Sequence, residues 1–320
     1  MKRDPRTLQL RLVAFALIAF LGWQVGLAQV PAERTEYELP GEGVFPEGIA
    51  YHEPSGTFFV SGAGSGGIYR VNVETGEVTA FLEPGSRDPF TTIGLAVSGD
   101  QLWVAGGNSG EIVVFNIDTG ERLALYSTPA ADAKFLNDVV TTDLGAFITD
   151  SNRPVLWHVP AGNVVQTPQA EAEDWLSFAG TPFEYVEGFN ANGIVASDDG
   201  LTLIVVAANT GTLYKIDVET KEVTAIDLAG ETVPGGDGLV LDGQTLFVVQ
   251  NGADQVTVIS LADDFASGTV DRVIAHESLT DSATAALIGS DLVVTNSQFS
   301  AMQGEPSLPF TVSVVPTSGE

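Results

Sequence analysis

A short motif recurs six times along this chain of 320 residues, at nearly constant spacing. Each copy begins with one variable residue, which is followed by a small residue, usually glycine, and then by a run of aliphatic residues. The last copy matches this pattern least well. The copies begin at Glu47, Ile93, Asn137, Asn192, Asp237 and Ala283, separated by 46, 44, 55, 45 and 46 positions. Self-similarity at a fixed period of this size is typical of repeat architectures. The motif therefore predicts one structural unit per copy.

Each copy continues with further short strands in the same order. A recurring turn follows the third strand, at Asn72–Glu77, Asn116–Glu121 and Asp217–Glu222. Runs of four to seven β-branched and aromatic residues bounded by Gly, Asp and Asn predict antiparallel hairpins. Four strands in about 45 residues are typical of a propeller blade. We therefore predict an all-β fold, a six-bladed β-propeller of four-stranded antiparallel blades, as a single domain over residues 29–320.

Closing such a ring requires strands from both ends of the chain in one blade. Tyr37–Leu39 is expected to supply the outer strand and Phe310–Val315 an inner one. A β-sandwich, the alternative architecture, does not repeat a motif at fixed spacing. The 55-residue step indicates an insertion of about ten residues within 166–188. We expect either a loop or lid over one face, or a long hairpin whose aromatic residues pack on their own blade.

Residues 1–28 have the pattern of a secretory signal peptide. Basic residues come first, an apolar run follows from Leu12 to Leu27, and small residues surround the expected cleavage site after Ala28. This run of about 16 residues is shorter than the ~20 of a membrane span, so cleavage is favoured over an uncut anchor. The mature chain is therefore predicted to be secreted or periplasmic, without membrane association. The chain contains no cysteine, which excludes disulfides, thiolate metal sites and cysteine nucleophiles.

Acidic residues dominate the predicted mature chain, which carries 41 Asp and Glu against 9 Lys and Arg. A surface without a basic patch does not displace counterions from nucleic acid, so nucleic-acid binding is not expected. Most of these carboxylates are expected to be solvated on a soluble protein, for which we expect a monomer. A minority are candidates to hold a cation.

The first residue of each repeat is expected to lie at one mouth of the central channel, because the innermost strand of a blade begins there. Four of these six axial residues carry side-chain oxygens: Glu47, Asn137, Asn192 and Asp237. Turn propensity explains one or two of them, but not two carboxylates on a narrow axis, where like charges raise each other's pKa. Two carboxylates and two amides suit Ca²⁺ or another hard divalent cation. The absence of His and Cys from the set argues against Zn²⁺.

Four of these residues lie in similar short segments: Phe45–Ala50, Leu136–Val140, Asn190–Ile194 and Gly235–Leu239. These segments resemble the ligand motifs of the regucalcin/gluconolactonase family of senescence-marker-protein type, and more distantly those of the paraoxonases and the diisopropyl-fluorophosphatase-type phosphotriesterases. The resemblance implies a six-bladed propeller that holds a divalent cation, usually Ca²⁺, and hydrolyses lactones. It implies that Glu47, Asn192 and Asp237 bind the metal directly, that Asn137 binds it directly or through water, and that Asp237 is the catalytic base.

The chain departs from the family pattern at a position that contacts substrate. Members of the regucalcin branch place an Arg two residues before the third-blade Asn, where it helps to hold sugars; here that residue is Phe135, preceded by Lys134. We expect Phe135, Lys134 and Trp175 of the insertion to contact substrate. Phe135 favours apolar lactones or aryl esters over sugar lactones. The three histidines, His52, His158 and His276, are expected to be structural or surface residues.

Two functions from different classes remain open. The first is an exported, metal-dependent hydrolase of small-molecule lactones or related esters, in which the axial cation polarises the carbonyl and Asp237 activates water. The second is a non-catalytic propeller that binds a ligand or partner and keeps the cation for stability. The fold alone does not separate these two functions.

Overall fold

The computed structural model describes residues 29–85, 91–162 and 170–318. These residues fold into six antiparallel β-sheets. The predicted signal peptide lies outside the described residues. The chain begins with β1 (Glu36–Leu39) and then forms blade 1 from β2 (Pro46–His52), β3 (Thr57–Gly62), β4 (Ile68–Asn72) and β5 (Val78–Leu82). Blade 2 contains β6 (Leu95–Ser98), β7 (Gln101–Ala105), β8 (Glu111–Asn116) and β9 (Arg122–Ser127).

Blades 3 and 4 follow in chain order. Blade 3 contains β10 (Leu136–Thr142), β11 (Gly145–Asp150), β12 (Val155–Pro160) and, after the short strand β13 (Ala170–Glu171), β14 (Glu173–Ser177). Blade 4 contains β15 (Ala191–Ala196), β16 (Thr202–Ala207), β17 (Thr212–Asp217) and β18 (Val223–Ala225). Strand β13 pairs in parallel with β9 and so extends blade 2.

Blade 5 contains β19 (Gly236–Asp242), β20 (Thr245–Gln250), β21 (Gln255–Leu261) and β22 (Gly268–Ala275). Blade 6 contains β23 (Ser282–Ile288), β24 (Asp291–Asn296) and β25 (Phe310–Pro316), with β1 as its outer strand. The first strand of every blade contacts the first strands of both neighbouring blades, so the sheets close into a ring. The predicted six-bladed β-propeller of four-stranded antiparallel blades is confirmed.

The ring closes with strands from both ends of the chain, as predicted. Strand β1 pairs with β25 in a register that places Tyr37 opposite Val312 and Leu39 opposite Phe310. The Tyr37 hydroxyl then donates a hydrogen bond to the Val73 carbonyl in blade 1, at 2.9 Å. Pairing and hydrogen bonding therefore join the last blade to the first.

The hydrophobic core is divided into six clusters, one between each pair of neighbouring blades. Strand β7 contributes side chains to two of these core clusters. Leu102 and Val104 pack toward blade 1, and the alternate residues Trp103 and Ala105 pack toward blade 3. Side chains alternate between the faces of a strand, so a blade covered on both sides requires a continuous apolar run.

The described part of the insertion, residues 170–188, packs against the blades instead of covering one face. Strand β14 is the outer strand of blade 3, and Phe178 and Phe183 are 1% exposed in the core between blades 3 and 4. The Tyr185 hydroxyl donates a hydrogen bond to the Asp150 carbonyl at 2.8 Å. Of the two expected arrangements, the structure favours the hairpin with packed aromatic residues.

Helical structure in the described residues is limited to the 3₁₀ turns Glu53–Ser55 and Phe299–Ala301. Within this part of the chain, no helix has the length and apolar character needed to cross a membrane.

Candidate metal centre on the propeller axis

The axial residues lie where the first strand of a blade departs from regular pairing. In blades 1, 3, 4, 5 and 6 the register between the first and second strands shifts across the axial residue and the residue after it. In blade 2 the first strand begins at Leu95, so Ile93 and Gly94 precede it. Such an irregularity redirects side chains that regular alternation would pack between the sheets. The side chains at these positions are thus available to the channel.

Close contact between neighbouring blades explains the small residue that follows most axial residues. A Cβ added to Gly48 would lie 2.2 Å from the carbonyl oxygen of Ile93, and one added to Gly193 would lie 2.2 Å from that of Asp237. A side chain at either position would therefore force two blades apart. Glycine keeps the ring narrow enough for axial side chains from different blades to share one site.

Buried hydroxyl groups on the second strands fix the backbone of the axial residues. Thr149 Oγ1 in blade 3 donates to the Asn192 carbonyl in blade 4 at 2.7 Å. Thr295 Oγ1 in blade 6 donates to the Glu47 carbonyl in blade 1 at 2.9 Å. Ser61 Oγ provides the same link from blade 1 to Ile93 of blade 2, at 2.6 Å. These bonds set the positions of axial residues across three of the six blade junctions.

The four predicted oxygen-bearing residues line a single cavity of about 520 Å³ on the axis. Phe135 lines the same cavity. The side chains of Glu47, Asn137, Asn192 and Asp237 are almost completely buried there, with residue exposures of 5–8%. The structure therefore brings together the whole predicted metal set and one of the three predicted substrate contacts.

Hydrogen bonds orient the two amides of this set. Asn137 Nδ2 donates to Ser151 Oγ at 2.9 Å, and Ser151 Oγ in turn donates to the Ala191 carbonyl at 2.7 Å. Because the amide nitrogen is held by Ser151, the side-chain oxygen of Asn137 points elsewhere. The side chain of Asn192 hydrogen-bonds to the Asp237 carboxylate.

Two buried oxygens of the set have no hydrogen-bond partner among the described residues, namely Glu47 Oε2 and Asn192 Oδ1. A buried polar atom without a partner costs about 1–3 kcal/mol, more when the group is charged. Native structures rarely leave such atoms unsatisfied. Two of them at one cavity are therefore a sign that something outside the protein chain, such as a cation, interacts with both.

The electrostatics of the site also favour a bound cation. Removal from water raises the pKa of Glu47 well above its usual value, and the charges of Asp237 and Asp138 raise it further. Removal from water and the charge of Asp138 also raise the pKa of Asp237, although the hydrogen bond from Asn192 opposes this rise. Without a counter-charge, two carboxylates here resist ionisation. A bound cation would remove that resistance.

The donor set fits a hard cation. Within residues 29–85, 91–162 and 170–318, no group of three or more His, Cys, Asp or Glu side chains is placed to hold a metal. The axial set reaches four donors because two of them are amides. Carboxylate and amide oxygens are the ligands of Ca²⁺ and similar ions. The unpartnered oxygens of Glu47 and Asn192 make this set a candidate for such an ion.

Asp138, next to an axial residue, has a structural role. Its carboxylate oxygens accept hydrogen bonds from the backbone N–H groups of Val139 at 2.8 Å and Ile194 at 3.1 Å. It therefore connects blade 3 to blade 4 beside the candidate metal centre. Removal from water raises the pKa of Asp138 to about 7, and the two hydrogen bonds oppose the rise.

The structure separates two predicted substrate contacts from the cavity. Lys134 lies against Gly110, where an added Cβ would come within 2.9 Å of its Nζ. Trp175 lies on the outer strand of blade 3, with its ring 4.9 Å from that of Phe147 and with Lys221 Nζ 4.8 Å from its centre. Since the outer strand lies at the far edge of the sheet from the axis, Trp175 packs on its own blade and is not positioned as a substrate contact.

Besides Ile93 and Gly235, which belong to repeat segments named above, eight lining residues were not predicted from the sequence: Ala63, Thr91, Asn108, Phe189, Ala208, Asn251, Phe299 and Met302. The repeat pattern contained a signal for four of them. Ala63, Asn108, Ala208 and Asn251 follow the second strands of their blades at nearly equal distances from the axial residue. Phe299 and Met302 come from a loop that has no counterpart in the other repeats, so the repeat pattern gives no signal for them.

The fold and the cavity define a six-bladed propeller with a candidate acid-and-amide metal centre on its axis. No protein-family model matches the chain, and no curated protein matches its sequence. Solved structures do match. The calcium-binding protein regucalcin from Agrobacterium tumefaciens is 17% identical, with a TM-score of 0.62, over 88% of this chain and 95% of that chain.

Two further solved structures illustrate how varied these matches are. A luciferin-regenerating enzyme is 16% identical, with a TM-score of 0.60, over 89% of this chain and 93% of its own. A streptogramin B lyase is 12% identical, with a TM-score of 0.59, over 88% and 97% respectively. At such identities the likeness shows the propeller fold alone, because propellers of this kind carry several chemistries.

Proposed function

We propose that this protein is a metal-dependent hydrolase of lactones or related esters, with Ca²⁺ as its cation. The observation that carries the proposal is the pair of buried, unpartnered oxygens on Glu47 and Asn192. They face the same cavity as the Asp237 carboxylate and the Asn137 amide. A bound Ca²⁺ would supply Lewis-acid polarisation of a substrate carbonyl.

The side chains of this site have separate tasks in the proposed reaction. Asp237 is the base that takes a proton from the attacking water. Without a cation, burial and the charge of Asp138 raise the pKa of Asp237 to about 8; a cation at the axis would lower it again and leave the carboxylate ionised, as a base must be. Asn192 holds the Asp237 carboxylate through its side-chain hydrogen bond. Ser151 orients the Asn137 amide, so the amide oxygen is already placed before a ligand arrives.

The solved structures support this proposal without deciding it. Regucalcin is described as a calcium-binding protein, and the luciferin-regenerating protein and the streptogramin B lyase are enzymes. The motif resemblance noted above gives Glu47, Asn137, Asn192 and Asp237 their metal roles. Export to the periplasm or the exterior, and a monomeric state, belong to the same proposal.

A substrate panel tests the activity. The mature protein, residues 29–320, is assayed with lactones and aryl esters after chelation and again with added Ca²⁺. Hydrolysis that requires Ca²⁺ supports the proposal. Absence of hydrolysis, together with chelator-sensitive stability, would instead favour a non-catalytic propeller that keeps its cation for stability.

A matched pair of variants tests the base. Asp237→Asn keeps a side-chain oxygen but loses charge and basicity, so we expect kcat to fall by about 10²-fold or more at saturating Ca²⁺. Asp242→Asn makes the same chemical change at an exposed residue of the same strand, and we expect it to retain wild-type activity. Equal rates for both variants would remove Asp237 from its proposed role.

A further inference from the structure

We infer that the mouth of the axial cavity binds an apolar arm of the substrate, and that this substrate is an uncharged lactone or ester with an alkyl or aryl substituent. The inference rests on the proposed function and names its substrate class. It starts from four apolar side chains, Phe135, Phe189, Phe299 and Met302, that line the same cavity as the axial carboxylates and amides.

These four residues come from three separate segments of the chain. Phe135 precedes the first strand of blade 3, and Phe189 lies in the connection to blade 4; their ring centroids are 4.9 Å apart in an edge-to-face arrangement. Phe299 and Met302 belong to the loop between β24 and β25 in blade 6. We call these four residues the apolar rim. Packing within a single blade does not explain why side chains from different blades meet at one cavity. A binding surface does require such a meeting.

Two members of the apolar rim are strongly exposed. Phe189 is 49% exposed and Met302 is 46% exposed. Single exposed apolar residues are ordinary on protein surfaces, but apolar residues grouped at a concave site mark ligand binding. Leu201 is 52% exposed but does not line this cavity. It therefore serves as the matched control.

The charge of the cavity restricts the ligand. Among the described residues that line it, two are carboxylates and none is Lys, Arg or His. Even with Ca²⁺ balancing the two carboxylates, an anionic substituent would find no cationic side chain in the cavity wall, so its loss of hydration would stay uncompensated. A hydroxylated substituent that reached the apolar rim would lose hydrogen bonds to water there. An apolar arm meets neither penalty.

The volume of the cavity leaves space for such an arm. A six-membered lactone ring displaces only a few waters of roughly 30 Å³ each, whereas the cavity measures about 520 Å³. With the carbonyl at the axial residues, the remaining volume extends between them and the apolar rim. Each methylene buried there is expected to raise kcat/KM by up to about fourfold.

The test is the dependence of kcat/KM on chain length. The Ca²⁺-loaded protein is assayed with δ-lactones that carry no substituent, a propyl group or a pentyl group. We expect the wild-type value to rise steadily with chain length. The double variant Phe189→Ser/Met302→Ser should lose most of this dependence, and Leu201→Ser should keep the wild-type slope. A wild-type series that is flat or falls with chain length overturns the inference, as does an unchanged slope in the double variant.

Calorimetric binding separates this inference from the proposed function. If the protein hydrolyses none of these compounds, the proposed function fails, and the pentyl-substituted lactone is then titrated into the Ca²⁺-loaded protein. Binding that weakens in the double variant but not in Leu201→Ser supports the role of the apolar rim in binding, independently of the proposed hydrolase activity. Absence of binding, or equal binding by all three proteins, overturns it. Hydrolysis without chain-length dependence would leave the proposed function standing and remove only the inference.

Discussion

Replacing Glu47 with glutamine should make the metal-free protein more stable while abolishing its response to Ca²⁺. The Glu47 carboxyl is 7% exposed and one of its oxygens has no partner in the described chain. Burial and two neighbouring carboxylates raise its pKa well above the ordinary value of 4.5. In the unfolded chain the same group ionises freely. Folding without a cation therefore opposes ionisation of Glu47.

The sign and size of the effect follow from this difference. A group whose folded pKa is raised contributes stability that is fully present below its unfolded pKa and is lost as pH rises toward the folded pKa. For each pH unit over which Glu47 stays protonated in the folded protein while it ionises in the unfolded chain, the free energy of unfolding falls by about 1.4 kcal/mol. Glutamine removes this loss, because it has no proton to release. At pH 7 in chelator we therefore expect Glu47→Gln to melt above wild type, by roughly 2–4 °C for each kcal/mol that the substitution restores.

Thermal unfolding at pH 5, 6, 7 and 8, with chelator and with Ca²⁺, measures the prediction. Metal-free wild type should lose stability as pH rises, and Glu47→Gln should lose less. Added Ca²⁺ at 100 times its dissociation constant should stabilise wild type by about 2.7 kcal/mol and the variant by little. Asp242→Asn, at an exposed carboxyl, should follow wild type throughout. A metal-free Glu47→Gln protein that is less stable than wild type at every pH, or that shows the wild-type pH dependence, would refute the reasoning.

Three further outcomes are expected. Phe135→Arg should shift relative kcat/KM toward gluconolactone by about tenfold, because a guanidinium donates to sugar hydroxyls; an unchanged ratio would show that residue 135 does not set specificity. Gly193→Ala should lower stability by several kcal/mol in chemical denaturation, because its Cβ would lie 2.2 Å from the Asp237 carbonyl, whereas Gly43→Ala, with open space around it, should not. Ser151→Ala should weaken Ca²⁺ binding measured by calorimetry, because the amide N–H of Asn137 loses its acceptor, Ser151 Oγ; unaltered affinity would contradict this role.

Much of the fold was predictable because its determinants are local. The turn after the third strand shows this clearly: Asn72, Asn116 and Asp217 each accept a hydrogen bond from the backbone N–H of the Thr three residues later, at 2.7–2.8 Å. That bond depends on neighbouring residues only. The period of the repeat likewise follows from strand and turn lengths. Axial residues were predictable because each lies within two residues of the start of the first strand of its blade, so equal sequence position implies equal position in the ring.

The cavity wall depended on tertiary structure. Lys134 and Phe135 are adjacent in sequence, yet Phe135 lines the cavity and Lys134 lies against Gly110; both precede strand β10, so no strand periodicity fixes their directions. Trp175 looked like part of a lid, but strand pairing carries it to the outer edge of blade 3.

The sequence by itself determined the blades, their number and the four oxygen-bearing residues at the axis, because each of these is repeated at a regular interval. Only the closed ring decided that Phe189, Phe299 and Met302 meet at one mouth, and that oxygens of Glu47 and Asn192 are buried without partners. Both features depend on distances between residues far apart in the chain. The closure of blade 6 by the first strand fixes those distances, and no local pattern records them.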